Sequence, residues 1–240
     1  MIIEIDIGNT RIKWRCLQHG VVQARGVVES GERDGWASTI RDNYLPEMIR
    51  LACVGDRALV DWVDNLAQKW GCVVQEALTT REVAGIRCGY DEPEVMGVDR
   101  WLAVVAAYHQ FHQPCVVVDV GSAITVDIVD SSGQHLGGYI VPGFGMMRQS
   151  LYMGTNKVKV KLDGHDGVGP GKATAQAVSR GGLLMVKAMI EHAAKDLSVA
   201  GFSVPVVITG GDATHLVDVL AGEVHHVPEL VLDGLAIVVP

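Results

Sequence analysis

Ile2-Ile3-Glu4-Ile5-Asp6-Ile7-Gly8-Asn9-Thr10-Arg11-Ile12-Lys13-Trp14 has a counterpart nearly half the chain later. The counterpart is Val116-Val117-Val118-Asp119-Val120-Gly121-Ser122-Ala123-Ile124-Thr125-Val126-Asp127-Ile128. Each is a strand-like apolar run, then Asp-x-Gly followed by Asn or Ser, then a second strand-like run. Each continues to a later turn signal, His19-Gly20 in the first copy and Ser131-Ser132-Gly133 in the second. Both read as a β-hairpin, and the repetition points to a duplicated architecture.

The turns have a chemistry. A tight strand-to-strand turn exposes backbone N–H groups, and glycine there lets a phosphate approach the main chain. Asn9, Thr10, Ser122 and Thr125 add side-chain donors. A carboxylate beside phosphates repels them unless it holds the cation that accompanies them. One copy alone would read as a plain Asp-x-Gly turn. Two copies, each between buried-type strands, point instead to cation binding beside a polyphosphate.

Outward from the hairpins the pattern alternates between strand and helix. Residues 59–70 carry Leu59, Val63, Leu66, Ala67 and Trp70 at helical spacing, and residues 99–111 carry Trp101, Leu102, Val105 and Tyr108. Residues 174–197 predict a long helix with Gly181-Gly182 as a break, and residues 204–209 a short strand ending in Gly210-Gly211. Residues 137–145 and 163–172 read as glycine-rich loops. The division is expected near residue 115, giving halves 1–115 and 116–240.

With 48% hydrophobic and 20% charged residues, the chain has apolar material for a real core and is not a disordered composition. Lys plus Arg is 20 against 28 Asp plus Glu, a net charge of −8. The densest basic stretch, Lys157, Lys159 and Lys161, suits one exposed strand face better than a nucleic-acid groove, so no nucleic-acid partner is expected. Five widely spaced cysteines with no C-x-x-C argue against a disulfide framework or zinc site and favour the cytoplasm. Residues 1–6 do not read as a signal peptide, and no window is apolar enough for a membrane span.

Further motifs carry candidate chemistry beside plainer readings. Gly97-Val98-Asp99-Arg100 opens a predicted helix. Asp99 there could accept a proton from a substrate hydroxyl, and Arg100 could grip a carboxylate in two places. An N-capping Asp beside a surface Arg is the commoner outcome for such a sequence. Gly167-Val168-Gly169-Pro170-Gly171-Lys172-Ala173-Thr174 is not a P-loop: Asp166 stands where glycine is needed, Ala173 where Ser or Thr is needed, and no strand leads in. Ile208-Thr209-Gly210-Gly211-Asp212 reads equally as an adenosine site or a strand-to-helix turn. His109 and His112 read as solvated helix surface, since no acidic or Cys partner is near in sequence.

Taken in order, these motifs resemble the actin-like, hexokinase-like ATPase superfamily, and within it the type III pantothenate kinases. Asp6-Ile7-Gly8-Asn9-Thr10 resembles the first phosphate motif, residues 119–125 the second, and Ile208-Thr209-Gly210-Gly211 the adenosine motif. Gly97 to Arg100 and Gly138-Tyr139-Ile140-Val141-Pro142-Gly143 resemble elements of that kinase family. The resemblance implies an α/β fold: two ribonuclease-H-like halves with mixed sheets flanked by helices, and ATP between two phosphate hairpins. It implies ATP-dependent phosphorylation of pantothenate to 4'-phosphopantothenate, the first committed step towards coenzyme A. By resemblance, Asp6, Ile7, Gly8, Asn9, Thr10, Arg11, Ile12 and Lys13 hold ATP phosphates, with Asp6 near Mg2+. Ser122 contacts ATP, and Asp119 binds a monovalent cation, K+ or NH4+. Asp99 is the implied base, and Tyr90, Gly97, Val98, Asp99 and Arg100 line the pantothenate site. Thr174 is implied to reach that site across a homodimer interface. The alternatives are a kinase for another small molecule, a nucleotide-sensing transcriptional accessory protein, and an assembling actin-like ATPase.

Overall fold

The computed structural model describes residues 1–55, 57–154, 167–197 and 203–240. The expected strand face of Lys157, Lys159 and Lys161, Asp166, and the start of the 163–172 loop lie outside these residues. By its contacts the chain divides into two units, residues 1–106 with 229–240, and residues 107–228.

The first unit begins with the quoted hairpin, β1 (Ile2–Ile7) and β2 (Arg11–Gln18), followed by β3 (Val21–Glu29). The β2–β3 turn is His19-Gly20, both at positive φ (51° and 76°). Two positive-φ residues are what a two-residue hairpin turn needs to match strand twist. Then come α1 (Arg33–Asn43), β4 (Met48–Cys53), α2 (Arg57–Trp70), β5 (Val73–Glu76), the small hairpin β6 (Glu82–Val83) and β7 (Ile86–Arg87), and α3 (Val98–Phe111). The sheet order is β3-β2-β1-β4-β5. The hairpin strands pair antiparallel, while β1, β4 and β5 run parallel through helical crossovers. Ile3, Ile5 and Ile7 of β1 sink into a core with Ile12, Ile49, Leu51, Val60 and Val63.

The second unit repeats the plan. Its elements are β8 (Cys115–Val120), β9 (Ala123–Val129), β10 (His135–Pro142), α4 (Phe144–Gly154), α5 (Thr174–Leu197), β11 (Val206–Thr209), α6 (Thr214–Val217) and β12 (Val224–His226). The order β10-β9-β8-β11-β12, with the same directions, mirrors the first sheet strand for strand. Val116, Val118 and Val120 pack with Ile124, Val126, Leu183, Val186 and Ile190.

Two expectations change. Residues 137–145 are not a loop: they hold most of β10, the edge strand, and the start of α4. Pairing with β9 overrides the poor strand propensity of two glycines, and a register shift between His135 and Gly137, with Gly137 at φ 104°, absorbs the irregularity. Gly181-Gly182 does not break α5, because the buried stripe Ser179, Leu183, Val186, Ile190 and Ala193 holds the helix down. At Gly182 an added Cβ would already touch Met147 Sδ at 3.6 Å and Phe144 at 3.9 Å, so the residue lets α4 and α5 approach. The division falls at 106/107, and the final helix, α7 (Leu230–Val238), belongs to the first unit. Two devices hold it there. A Cβ on Gly234 would lie 2.1 Å from the Leu102 carbonyl oxygen, so only glycine lets α7 press on α3. Arg15 of β2 donates to Asp233 (2.6 Å), Glu229 (3.1 Å) and the Leu232 carbonyl (2.9 Å), while also pairing with the wholly buried Glu4.

Candidate active site

Asp6 lies near the end of β1, buried, paired across the hairpin with Lys13 and beside Ala52 of β4. The turn that follows is closed by the Gly8 N–H donating to the Arg11 carbonyl at 3.0 Å. The Ser30 N–H, donating to the Thr10 carbonyl at 3.2 Å, ties the tip to the end of β3. Asn9, Thr10 and Arg11 are exposed, whereas Ile7 and Ile12 anchor the turn in the core. The Val54 N–H donates to the Ile7 carbonyl (3.1 Å), and a Cβ on Gly55 would sit 3.9 Å from the Gly8 carbonyl oxygen. The turns after β1 and β4 therefore meet at one end of the parallel strands, where ligands bind in sheets of this kind. Cys53 is also there; burial pushes its thiol above its ordinary value, with the carboxylates of Glu76 and Asp6 adding to the effect.

The N-terminus of α3 belongs to the same unit. Asp99 stands in its first turn, where the helix dipole favours an anion, and its Oδ1 accepts the Arg100 N–H at 2.7 Å. A Cβ on Gly97 would fall 2.7 Å from that same oxygen and 3.9 Å from a Val54 methyl. Glycine at 97 thus keeps the carboxylate uncrowded beside the turn that follows β4. Arg100 is 5% exposed, so the surface Arg that the sequence favoured does not occur. Its Nη1 donates to the Tyr90 hydroxyl at 2.7 Å, with the guanidinium 5.6 Å from the Tyr90 ring centroid. The structure thus brings Tyr90, Gly97, Val98, Asp99 and Arg100 together.

Asp119, Ser122 and Thr174 lie in the second unit. Asp119 pairs in register with Thr125 of β9 and Thr209 of β11. The Gly121 N–H donates to the Ala123 carbonyl at 3.0 Å, the same length as the closure at Gly8 but spanning one residue fewer. Two further glycines bring backbone against this turn. A Cβ on Gly143 would lie 2.2 Å from the Gly121 carbonyl oxygen and 2.5 Å from that of Ser122. One on Gly210, at φ 100°, would lie 2.4 Å from the Val120 carbonyl oxygen and 2.5 Å from Asp119 Oδ1. Gly210 therefore serves close packing on the β8–β9 turn, a role the bare Gly-Gly signal did not reveal. Thr174 opens α5 and lines a cavity of about 920 Å³ with Phe144, Met147, Lys172 and Met185.

The donor set suits hard cations. Asp119 offers a carboxylate beside main-chain carbonyls, and Asp6 a carboxylate beside an exposed turn, both oxygen surroundings of the kind Mg2+ and K+ take. No group of three or more His, Cys, Asp or Glu gathers among the described residues, so a coordination sphere here would need oxygens from elsewhere, such as phosphates. His109 and His112 have ring centroids 6.0 Å apart and belong to no such group. Among the functional candidates, Arg81 carried no sequence signal: it donates to the Tyr90 carbonyl (2.7 Å) and the Asp91 carbonyl (2.6 Å), contacts set by loop backbone rather than by a motif.

Solved structures share this fold. A chain from Campylobacter jejuni described as a Baf family transcriptional activator superposes with a TM-score of 0.62 at 21% identity, covering 98% of this chain and 95% of its own. A Sinorhizobium meliloti protein described as a 2-dehydro-3-deoxygalactonokinase gives 0.56 at 14% identity, covering 98% and 97%. The duplicated sheets are those of the actin-like, hexokinase-like ATPase fold. The sequence narrows the class. The family model for type III pantothenate kinase matches residues 2–196. Type III pantothenate kinases of Pseudomonas paraeruginosa and Azotobacter vinelandii are 36% and 37% identical, over 100% of this chain and 99% of their own. The chain belongs to the type III pantothenate kinase family.

Proposed function

We infer that the chain transfers the γ-phosphoryl group of ATP to the hydroxyl of pantothenate, giving 4'-phosphopantothenate and ADP at the start of coenzyme A synthesis. Beside the family match, the observation that carries this reading is Asp99 in the first turn of α3 next to a buried Arg100 bonded to Tyr90. Asp99 takes the proton as the pantothenate oxygen bonds to the γ-phosphorus and the bond to the β–γ bridging oxygen breaks. The transition state of such transfers is loose, so the base has to be well placed more than strong. Arg100 grips the pantothenate carboxylate, and Gly97, Val98 and Tyr90 complete that wall.

Asp6 to Lys13 and Ser122 contact ATP. Mg2+ held at Asp6, and K+ or NH4+ held at Asp119, would neutralise triphosphate charge that this acidic chain could not otherwise balance. A homodimer, with Thr174 completing the pantothenate site of the second copy, is supported by the apolar exposure on α4 and α5: Tyr152 is 54%, Met153 76% and Met185 54% exposed. No helix among the described residues is long and apolar enough to cross a membrane. We place the reaction in the cytoplasm, consistent with cysteines that are all unpaired.

The test is an ADP-release assay with ATP, Mg2+ and pantothenate, with K+ or Na+ as the sole monovalent cation. Turnover that needs pantothenate supports the activity, and a requirement for K+ supports the Asp119 assignment. Folded protein without turnover in either salt would overturn the substrate reading.

A further inference from the structure

We propose that Arg81 is a positioning residue that holds Tyr90, and through it Arg100, in the geometry that receives the substrate. The inference rests on the reading of Tyr90 and Arg100 as the pantothenate wall. Tyr90 stands on the segment between β7 and α3, whose regular structure is a single short turn, Pro93–Val95. Such a segment leaves side-chain directions loose unless something fixes its peptides. The Arg81 guanidinium does so. Its Nη1 and Nη2 donate to the successive carbonyls of Tyr90 and Asp91, at 2.7 and 2.6 Å. A planar fork bonded to both carbonyls fixes the peptide between them, and with it the direction in which Tyr90 leaves the main chain.

Both ends of this connection are themselves tied. The Cys88 N–H donates to the Arg81 carbonyl (2.9 Å), closing the β6–β7 hairpin whose turn residues Ala84 and Gly85 have φ of 51° and 80°. At the far end the Tyr90 hydroxyl accepts from Arg100 Nη1 (2.7 Å), one residue from Asp99. Thr79 Oγ1 donates to the Met96 carbonyl (2.9 Å), so the segment is also pinned where it enters α3. A lysine at 81 has one compact ammonium and cannot fix both carbonyls in one plane.

The experiment measures steady-state kinetics of Arg81→Met, Arg81→Lys, Tyr90→Phe, Arg100→Lys and the Arg81→Met/Tyr90→Phe double variant against both substrates. Loss of charge-assisted hydrogen bonds predicts that Arg81→Met raises the pantothenate KM about tenfold, with kcat and the ATP KM changed less than about twofold. Arg81→Lys should fall between, at about threefold. The double variant should be no worse than Tyr90→Phe, because Arg81 acts through Tyr90. An unchanged pantothenate KM in Arg81→Met while Tyr90→Phe raises it would overturn the proposal. So would additive effects, or an ATP KM that rises in step, since those mark general loosening. If Arg81→Met does not fold, Arg81→Lys decides by the same comparison of the two KM values. Tyr90→Phe and Arg100→Lys both leaving the pantothenate KM unchanged would sink the reading of the wall itself, a different result from failure of Arg81 alone.

Discussion

Replacing Gly143 with alanine would drive a methyl group into the β8–β9 turn. The new carbon would lie 2.2 Å from the Gly121 carbonyl oxygen, 2.5 Å from the Ser122 carbonyl oxygen and 2.9 Å from the Ser122 carbonyl carbon. All three are backbone atoms, so no side chain can swing away. Reaching ordinary van der Waals distance requires an opening of roughly 1 Å. Residue 143 cannot simply retreat, because its own N–H donates to the Ser122 carbonyl at 2.9 Å. The turn has to move. Overpacking of this kind costs about 1–3 kcal/mol. At about 2–4 °C per kcal/mol for a chain of this size, Tm should fall by roughly 2–12 °C. The effect on rate should be larger, since a displacement of about 1 Å in a positioning group costs on the order of 100-fold. Differential scanning fluorimetry and ATP kinetics measure both. Gly145→Ala is the control: its added Cβ meets nothing within 4 Å, and it should stay near wild type. If Gly143→Ala kept kcat/KM for ATP within about twofold and Tm within about 1 °C, the turn would not be rigid, and the positioning argument built on it would fail.

Asp99→Asn should lower kcat by about 10²–10⁴, with Tm close to wild type; turnover near wild type would remove the proton-acceptor role. Arg15→Met leaves Glu4 buried opposite Arg50 without its second partner, which should cost about 3–5 kcal/mol and be read in urea denaturation as a lowered midpoint. For Glu229, burial pushes the carboxyl up, but hydrogen bonds and charge from Arg25 and Arg15 outweigh it and hold the group below its ordinary value of 4.5. The folded state therefore binds this proton less readily than the unfolded chain. The contribution is complete above the unfolded value and is lost as pH falls through the folded one. Stability curves should drop on the acid side of pH 4.5, and Glu229→Gln should flatten that segment. Burial raises the Cys16 thiol to about 11 and the Cys115 thiol to about 12, so iodoacetamide at neutral pH should leave both unmodified in native protein, as read by peptide mass spectrometry.

What the sequence determined by itself was periodic or local. Alternating isoleucines and valines around Asp6-Ile7-Gly8 and Asp119-Val120-Gly121 made two hairpins legible, because strand pairing follows a two-residue rhythm that is written along the chain. The same holds for α2, α3 and α5, whose apolar spacing follows the helical turn. Asp99 could be placed in a helix's first turn, but its surroundings could not. Arg100 reads as a surface residue until Tyr90 is found against it, and Gly210 reads as a turn until its backbone is seen against Asp119 and Val120. Residues 137–142 became a strand only because β9 offered an edge to pair with. The last helix joined the first unit because Arg15, more than 200 residues away, binds Asp233 and Glu229. Such contacts depend on which surfaces fold against one another. They have no period along the chain, and tertiary structure alone decides them.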